Sequence, residues 1–259
     1  MKRILFFASL LLIPGWICAQ AVVTEQTTHT TTPEAHIFAT FVKSFEHGLS
    51  LTIEEEIRSA PSHRAHTTLA LGYSPVEYFN IYAGYTTMIY GKEAAKVNWD
   101  DPNKYIRHRV NLLLTGQIKL GQWSLSLREG VMMDARTDQV DRREKNNADF
   151  TLRSRLQAVY SIPQTPIGIV AKLEILNTLN APVKYLNQVS DKQYGQYINE
   201  WRPEAGIQWK IDKKNTLSLT YRYNYLYGRN ITVADTNDIT LTHNYTAKHL
   251  LLLSYKLGW

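Results

Sequence analysis

The sequence predicts an all-β fold, a transmembrane antiparallel β-barrel of about twelve strands behind a cleaved signal peptide, on three observations. Segments of roughly ten to thirteen residues alternate apolar with polar side chains, long enough to cross a bilayer at the usual strand tilt. The connections alternate between tight turns and mostly longer polar loops. Tyr, Trp and Phe gather near the segment ends, where the two interfaces of a membrane would hold them.

The first residues set the compartment. Lys2 and Arg3 precede an apolar run from Ile4 to Ile13, which Pro14 and Gly15 break; this is the order of a secretory signal peptide. About ten apolar residues are too few to span a bilayer as a helix. Cleavage is expected after Ala19, or alternatively after Ala21, so residues 1–19 form the signal, 20–34 a polar amino-terminal segment and 35–259 the barrel. Cys18 is the single cysteine and leaves with the signal, so the mature chain has no thiolate chemistry; Ile17 sits where a lipidation signal wants a small residue. Loss of Lys2 and Arg3 lowers the formal charge by two, from +6 to +4. Such a mild excess supports no nucleic-acid surface. Mean hydropathy is -0.30, which leaves no long apolar helix.

Period two runs along the chain from residue 36. In 216–227, Leu217, Leu219, Tyr221, Tyr223, Tyr225 and Tyr227 alternate with Ser218, Thr220, Arg222, Asn224 and Leu226; in 49–59, Leu49, Leu51, Ile53 and Ile57 alternate with Ser50, Thr52, Glu54, Glu56 and Arg58. Successive strand side chains point to opposite faces, so each segment has one apolar and one polar face. The same rhythm recurs at 36–46, 66–74, 78–90, 105–120, 122–133, 150–162, 167–177, 200–211 and 247–259. Alternation is blind to which face is inside, since a soluble barrel hides its apolar face and a membrane barrel turns it to lipid.

Turn chemistry and aromatic placement favour the membrane. Tight turns fall at His47-Gly48, Pro75 to Tyr78, Gly121-Gln122, Pro163 to Pro166 and Asp212 to Asn215, with longer loops near 59–65, 91–104, 134–149, 178–198 and 228–246. Interface aromatics are expected at Trp123, Tyr160, Trp209, Tyr255 and Trp259, together with Phe79, Tyr90, Tyr105, Trp201 and Tyr227. Counting the segments gives eleven strands, whereas bacterial barrels are even. Twelve strands are expected, with ten as the alternative, according to whether residues 22–34 form a polar first strand, thread the lumen, or one segment is misread.

Taken in order, Lys43-Ser44-Phe45, Leu49 to Glu56, Ala83-Gly84-Tyr85, Ser124 to Glu129, Leu152 to Leu156 and Leu219 to Tyr223 resemble an uncharacterised outer-membrane barrel family of Gram-negative bacteria, catalogued as a domain of unknown function. The resemblance covers nearly all of the mature chain. It implies an outer-membrane barrel, and no activity or functional residue to carry over.

On the face expected to point inward, Glu54, Glu56, Arg128, Arg155, Lys172, Glu174, Glu204 and Arg222 fall at similar heights, with Arg58, Arg107, Arg109, Arg153 and Arg202 nearby or above. One reading makes them ion pairs filling a small barrel; another makes the excess arginines a filter for an anionic solute. Glu55 and Glu129 fall on the lipid-facing phase, so they are expected near the outer rim or, preferably, beside a bulge that shifts the phase.

The sequence therefore predicts a non-enzymatic barrel in the outer membrane of a Gram-negative bacterium, either structural or a narrow, occluded pathway for small solutes. The alternative is an outer-membrane lipid- or ester-hydrolysing enzyme using Ser and His on adjacent strands. His66 falls inward on a strand with Ser74, while His108, Ser154 and His249 fall outward on strands that are not neighbours, so no catalytic residue is assigned. His29, His36, His47 and His63 lack the close pairing of a metal site, and no metal or cofactor is expected. Expected partners are outer-membrane lipid, lipopolysaccharide against the charged loop Asp134 to Asp149, and the barrel assembly machinery at the aromatic-ended last strand. The sequons at Asn230 and Asn244 carry no information in a bacterial export protein.

Overall fold

In the computed structural model, the structure describes residues 22–59, 64–90, 106–135, 149–179, 185–186, 189–190, 199–235 and 238–259. The expected signal peptide, the loops 91–104 and 136–148, Tyr105 and the Tyr90 side chain lie outside the described residues. The strands are β1 (Val22–Ser44), β2 (Leu49–Arg58), β3 (Arg64–Val76), β4 (Phe79–Tyr90), β5 (Ile106–Leu120), β6 (Trp123–Ala135), β7 (Asp149–Ser161), β8 (Ile167–Thr178), β9 (Tyr185–Leu186), β10 (Val189–Ser190), β11 (Glu200–Lys210), β12 (Asn215–Asp235) and β13 (Asp238–Gly258). Eleven of them close a barrel in the order β1-β13-β12-β11-β8-β7-β6-β5-β4-β3-β2, and β9 and β10 form a separate two-stranded sheet.

Two compact units divide the chain. Residues 29–228 with 245–259 hold the barrel wall and the side chains treated below; in the other unit, residues 1–28 with 229–244, Thr28 Oγ1 donates to Asn244 Oδ1 at 2.5 Å.

Eleven strands replace the expected twelve. Residues 22–34 form neither a separate strand nor a lumen thread, because β1 runs unbroken from Val22 to Ser44. The boundary placed between 34 and 35 therefore falls inside a strand. Thr24-Glu25-Gln26-Thr27-Thr28 and Thr30-Thr31-Thr32 carry enough β-branched residues to stay extended without an apolar face.

An odd, otherwise antiparallel ring must close on a parallel pair. At the β1/β13 seam, Thr30 Oγ1 meets Thr246 Oγ1 at 3.1 Å, Lys248 Nζ reaches Glu34 Oε1 at 2.8 Å, Ser44 N donates to Trp259 O at 3.0 Å and Trp259 N to Val42 O at 3.0 Å. The residue numbers rise together on both strands, so the barrel is not wholly antiparallel.

The loop expected at 228–246 is also corrected, since β12 and β13 extend to Asp235 and from Asp238. Ile231, Thr232, Val233, Ile239, Thr240 and Thr242 give this stretch strand propensity despite its polarity. Residues 178–198 include the short β9/β10 pair rather than loop alone.

The tight turns stand where the sequence put them, each with local chemistry. His47 and Gly48 take positive φ after β1, and a Cβ on Gly48 would lie 2.2 Å from the Ser74 carbonyl oxygen, so only glycine fits. Gly121, at φ 59, turns the β5/β6 hairpin, and Thr165 holds the β7/β8 turn by donating to Ile162 O at 3.1 Å. In the β11/β12 turn, Asp212 accepts from Lys214 N at 2.6 Å, Asn215 N at 2.7 Å and Asn215 Nδ2 at 2.7 Å.

Hydrogen bonding, first from the Asn215 side chain and then from the two backbone amides, holds the Asp212 carboxyl below the usual carboxylate range. A depressed folded-state pKa gives stability that is present above the unfolded value of about 3.9 and lost as pH falls through the folded value. Asp212→Ala is therefore expected to lower the denaturant midpoint at pH 7, and the difference from the unaltered chain shrinks at pH 3. A gap that is equal at both pH values contradicts the carboxylate's role.

Side-chain direction decides the character of the two faces. Leu71, Leu112, Ile118, Leu127, Leu156, Ile169, Ile207 and Leu251 project outward and are exposed, whereas Glu56, His66, Thr86, Asn111, Glu174, Glu204 and Thr220 project inward and are buried. This is the reverse of a soluble barrel. Buried apolar residues such as Met88, Leu113, Met132 and Val170 share the inner phase with the charges.

Candidate functional site

The charged residues predicted for the lumen do fall on the inner phase, and cross-strand register sorts them into groups. Alternation brings them there: each sits two, four or six residues from another inward side chain on its own strand.

Around β1 to β3, Glu56 is the hub. Its Oε1 lies 2.7 Å from Arg58 Nε and 3.0 Å from His36 Nδ1, and its Oε2 lies 2.9 Å from His66 Nδ1. His36 Nε2 is 3.1 Å from Glu34 Oε2, and Glu34 also receives Lys248 across the seam. His36 and His66 thus belong to the lumen. The phase of β1 turns Glu34 and His36 inward and the antiparallel β2 supplies Glu56, whereas only the parallel closure brings Lys248 of β13 to Glu34.

Around β7 to β12, three carboxylates bind the cations. Glu174 takes Arg153 Nε at 2.6 Å and Arg202 Nη1 at 3.0 Å; Glu200 takes Arg202 Nε at 2.7 Å and Nη2 at 2.8 Å. Glu204 takes Lys172 Nζ at 2.6 Å, Arg222 Nε at 2.8 Å and Thr220 Oγ1 at 2.9 Å. Such charge-assisted, multiply bonded pairs are what make buried charge tolerable. Glu200 was absent from the expected cluster, although it stands on the same phase as Arg202 and Glu204.

The remaining members stand outside these two sets of ion pairs. Arg109 pairs with Asp134, at 2.5 and 2.8 Å, nearer the ends of β5 and β6. Arg107 stands opposite Met88 in register. Arg128 donates to Thr115 Oγ1 at 3.0 Å and lies opposite Arg155, which lies opposite Glu174. Glu54 accepts from Thr40 Oγ1 at 3.4 Å. Similar height therefore does not mean one cluster.

Outside, the five expected interface aromatics sit towards the tight-turn ends. Trp123 and Tyr160 pack at 4.9 Å between centroids, Trp259 meets Phe41 edge-on at 6.4 Å, Trp209 is exposed, and Tyr255 Oη donates to Asn215 Oδ1 at 2.5 Å. Further along the wall, Tyr85 bonds His108 and Tyr221 bonds His249, each at 2.5 Å, with Tyr85, Tyr221 and His249 in the middle stretches of their strands, and Trp201 stands exposed at the opposite end of β11 from Trp209.

A family model described as a protein of unknown function, DUF2490, matches residues 37–234. The chain belongs to the DUF2490 family. This bears out the resemblance carried by the ordered strand segments, and it brings no assigned activity. No curated protein matches this DUF2490 chain. Among solved structures it is similar to the NanC porin in a rhombohedral crystal form, with a TM-score of 0.45 and 12% identity over 72% of this chain and 78% of that one.

Two outward carboxylates of the DUF2490 barrel differ from expectation. Register is continuous through Glu55 and Glu129, so no bulge shifts them inward. Instead Glu55 accepts from Thr67 Oγ1 at 2.8 Å and Glu129 from Ser154 Oγ at 2.6 Å. Each outward carboxylate thus has a hydroxyl donor on the adjacent strand, where a kink was expected.

Proposed function

We propose that this DUF2490 chain is an outer-membrane β-barrel whose charged lumen forms a narrow pathway for small solutes. The carrying observation is the inverted distribution of its faces. Apolar side chains such as Leu71, 66% exposed, Ile57 and Leu112 look outward around the wall, while Glu174 and Glu204 are buried within. A water-soluble protein rarely exposes more than a few hundred Å² of continuous apolar surface, and a lipid-facing band needs just that. The aromatic groups at both strand ends suit two membrane interfaces.

Lumen size supports a restricted path. Eleven strands lie between the roughly eight whose interior side chains fill and the sixteen or more that leave an open channel. The secretory order of residues 1–19 supports export. Lipid, lipopolysaccharide and the barrel assembly machinery remain the partners such a location implies.

Placement of the candidate nucleophile gives the hydrolytic alternative no support. Ser154 on β7 donates to Glu129, while His108 on β5 bonds Tyr85, with β6 between them. Planar-bilayer recording of folded, detergent-purified protein tests the pathway. Small discrete conductance steps are expected, and a quiet bilayer in spite of verified insertion contradicts solute passage.

A further inference from the structure

The inner wall from β6 to β12 does not neutralise itself. Apart from Asp134, which Arg109 of β5 takes, and Lys210 at the turn end, it presents Arg128, Arg153, Arg155, Lys172, Arg202 and Arg222 against Glu174, Glu200 and Glu204. Every one of those carboxylates is committed on both oxygens: Glu174 to Arg153 and Arg202, Glu200 to Arg202, and Glu204 to Lys172 and Arg222. Two guanidinium groups are left over. Among the described residues, Arg128 bonds the neutral Thr115 hydroxyl and Arg155 makes no ion pair, although the register sets it directly between Arg128 and the saturated Glu174.

We propose that Arg128 and Arg155 form an oxyanion-binding site in the lumen, taking the carboxylate or phosphate group of a small solute. Two like charges on adjacent strands repel, and the repulsion is largest where water is scarce. An anion between them removes it. The planar guanidinium fork matches the two oxygens of a carboxylate or phosphate, so paired arginines give both charge and geometry to that recognition. Ordinary packing leaves the surplus unexplained, because the same wall satisfies its other four cations with carboxylates at 2.6 to 3.0 Å.

The far wall gives the site a polarity. In the ring order, β2 stands five strands from β7, and it carries Glu54, whose hydrogen bond comes from the Thr40 hydroxyl. Glu54 and the inward Tyr82 of β4 share their electrostatic neighbourhood with Arg128 and Arg153. A solute at this level therefore turns its acidic end to β6 and β7 and a donor group to β2. The inference rests on the solute-pathway reading and names the class of solute.

The test titrates inorganic phosphate and, separately, succinate into the folded protein in detergent at low salt, followed by calorimetry. Arg128→Gln, Arg155→Gln and the double variant are compared with Lys119→Gln, an exposed lysine at a turn. Saturable binding of at least one probe is expected, weakened tenfold or more by either arginine change and unmoved by Lys119→Gln; the two arms separate phosphate from carboxylate recognition. Where a Gln variant fails to fold, Arg→Lys keeps the charge and loses the fork, and a several-fold loss is expected. No saturable binding by the unaltered chain, or binding that survives both substitutions, overturns the site. Conductance of the unaltered chain is read independently: steps without oxyanion binding sink the site alone, whereas binding without steps sinks the pathway and leaves the site.

Discussion

Leu112→Arg is expected to destabilise the folded barrel in a bilayer by about 2 to 4 kcal/mol, while Leu120→Arg on the same strand costs about 0 to 1 kcal/mol. Both leucines project outward and are about equally exposed, at 53% and 54%, so exposure alone predicts no difference between them. In water, an exposed leucine changed to arginine shifts stability by only about 0.5 kcal/mol either way. Hydrocarbon makes depth decisive. Leu112 lies mid-strand, opposite the outward Ala83 and Val131, whereas Leu120 ends β5 beside Trp123 at the rim, where an arginine can reach water. Denaturant titration of both variants in liposomes measures the pair. Equal, small costs would place water rather than lipid against β5 and remove the basis of the membrane reading.

Much of the wall was legible because strand periodicity is local. All eleven barrel strands correspond to period-two segments, and turns such as Gly121-Gln122 and Asp212 to Asn215 carry their own punctuation. Closure was not legible. Whether Glu34 meets Lys248 depends on two strands more than 200 residues apart in the chain, and an expectation of even parity favoured a twelfth strand over a parallel seam. Register is likewise non-local. Alternation alone put Arg128, Arg155, Lys172, Glu174 and Glu204 at similar heights and could not pair them: Lys172 faces Gln157 and Glu204, and Arg155 faces Arg128 and Glu174. Phase needs no register, because a side chain's face follows from its position along its own strand. The outward Glu129 shows the opposite case: its phase was read correctly, and its remedy was a serine on the next strand rather than a kink.

Glu174→Gln carries the other large expected effect, a loss of about 3 to 5 kcal/mol, because it breaks a buried ion pair from one side. Glu174 is 3% exposed, and its two oxygens are the acceptors for Arg153 and Arg202. Their positions after the change differ. Arg202 keeps the two bonds to Glu200, but Arg153 stands opposite Leu176 and Gly130 and gains nothing there, so most of the penalty falls on Arg153. Removing that stranded charge as well should restore stability. Arg153→Gln combined with Glu174→Gln is therefore expected to cost less than the sum of the single changes by 1 kcal/mol or more, on the order of the coupling found between contacting residues. Unfolding in urea, read by tryptophan fluorescence for the four proteins of the cycle, gives the coupling directly. Additive costs would mean that the cations on this wall are held by water rather than by Glu174, and the account of a lumen organised by saturated carboxylates would then fail along with the surplus it assigns to Arg128 and Arg155.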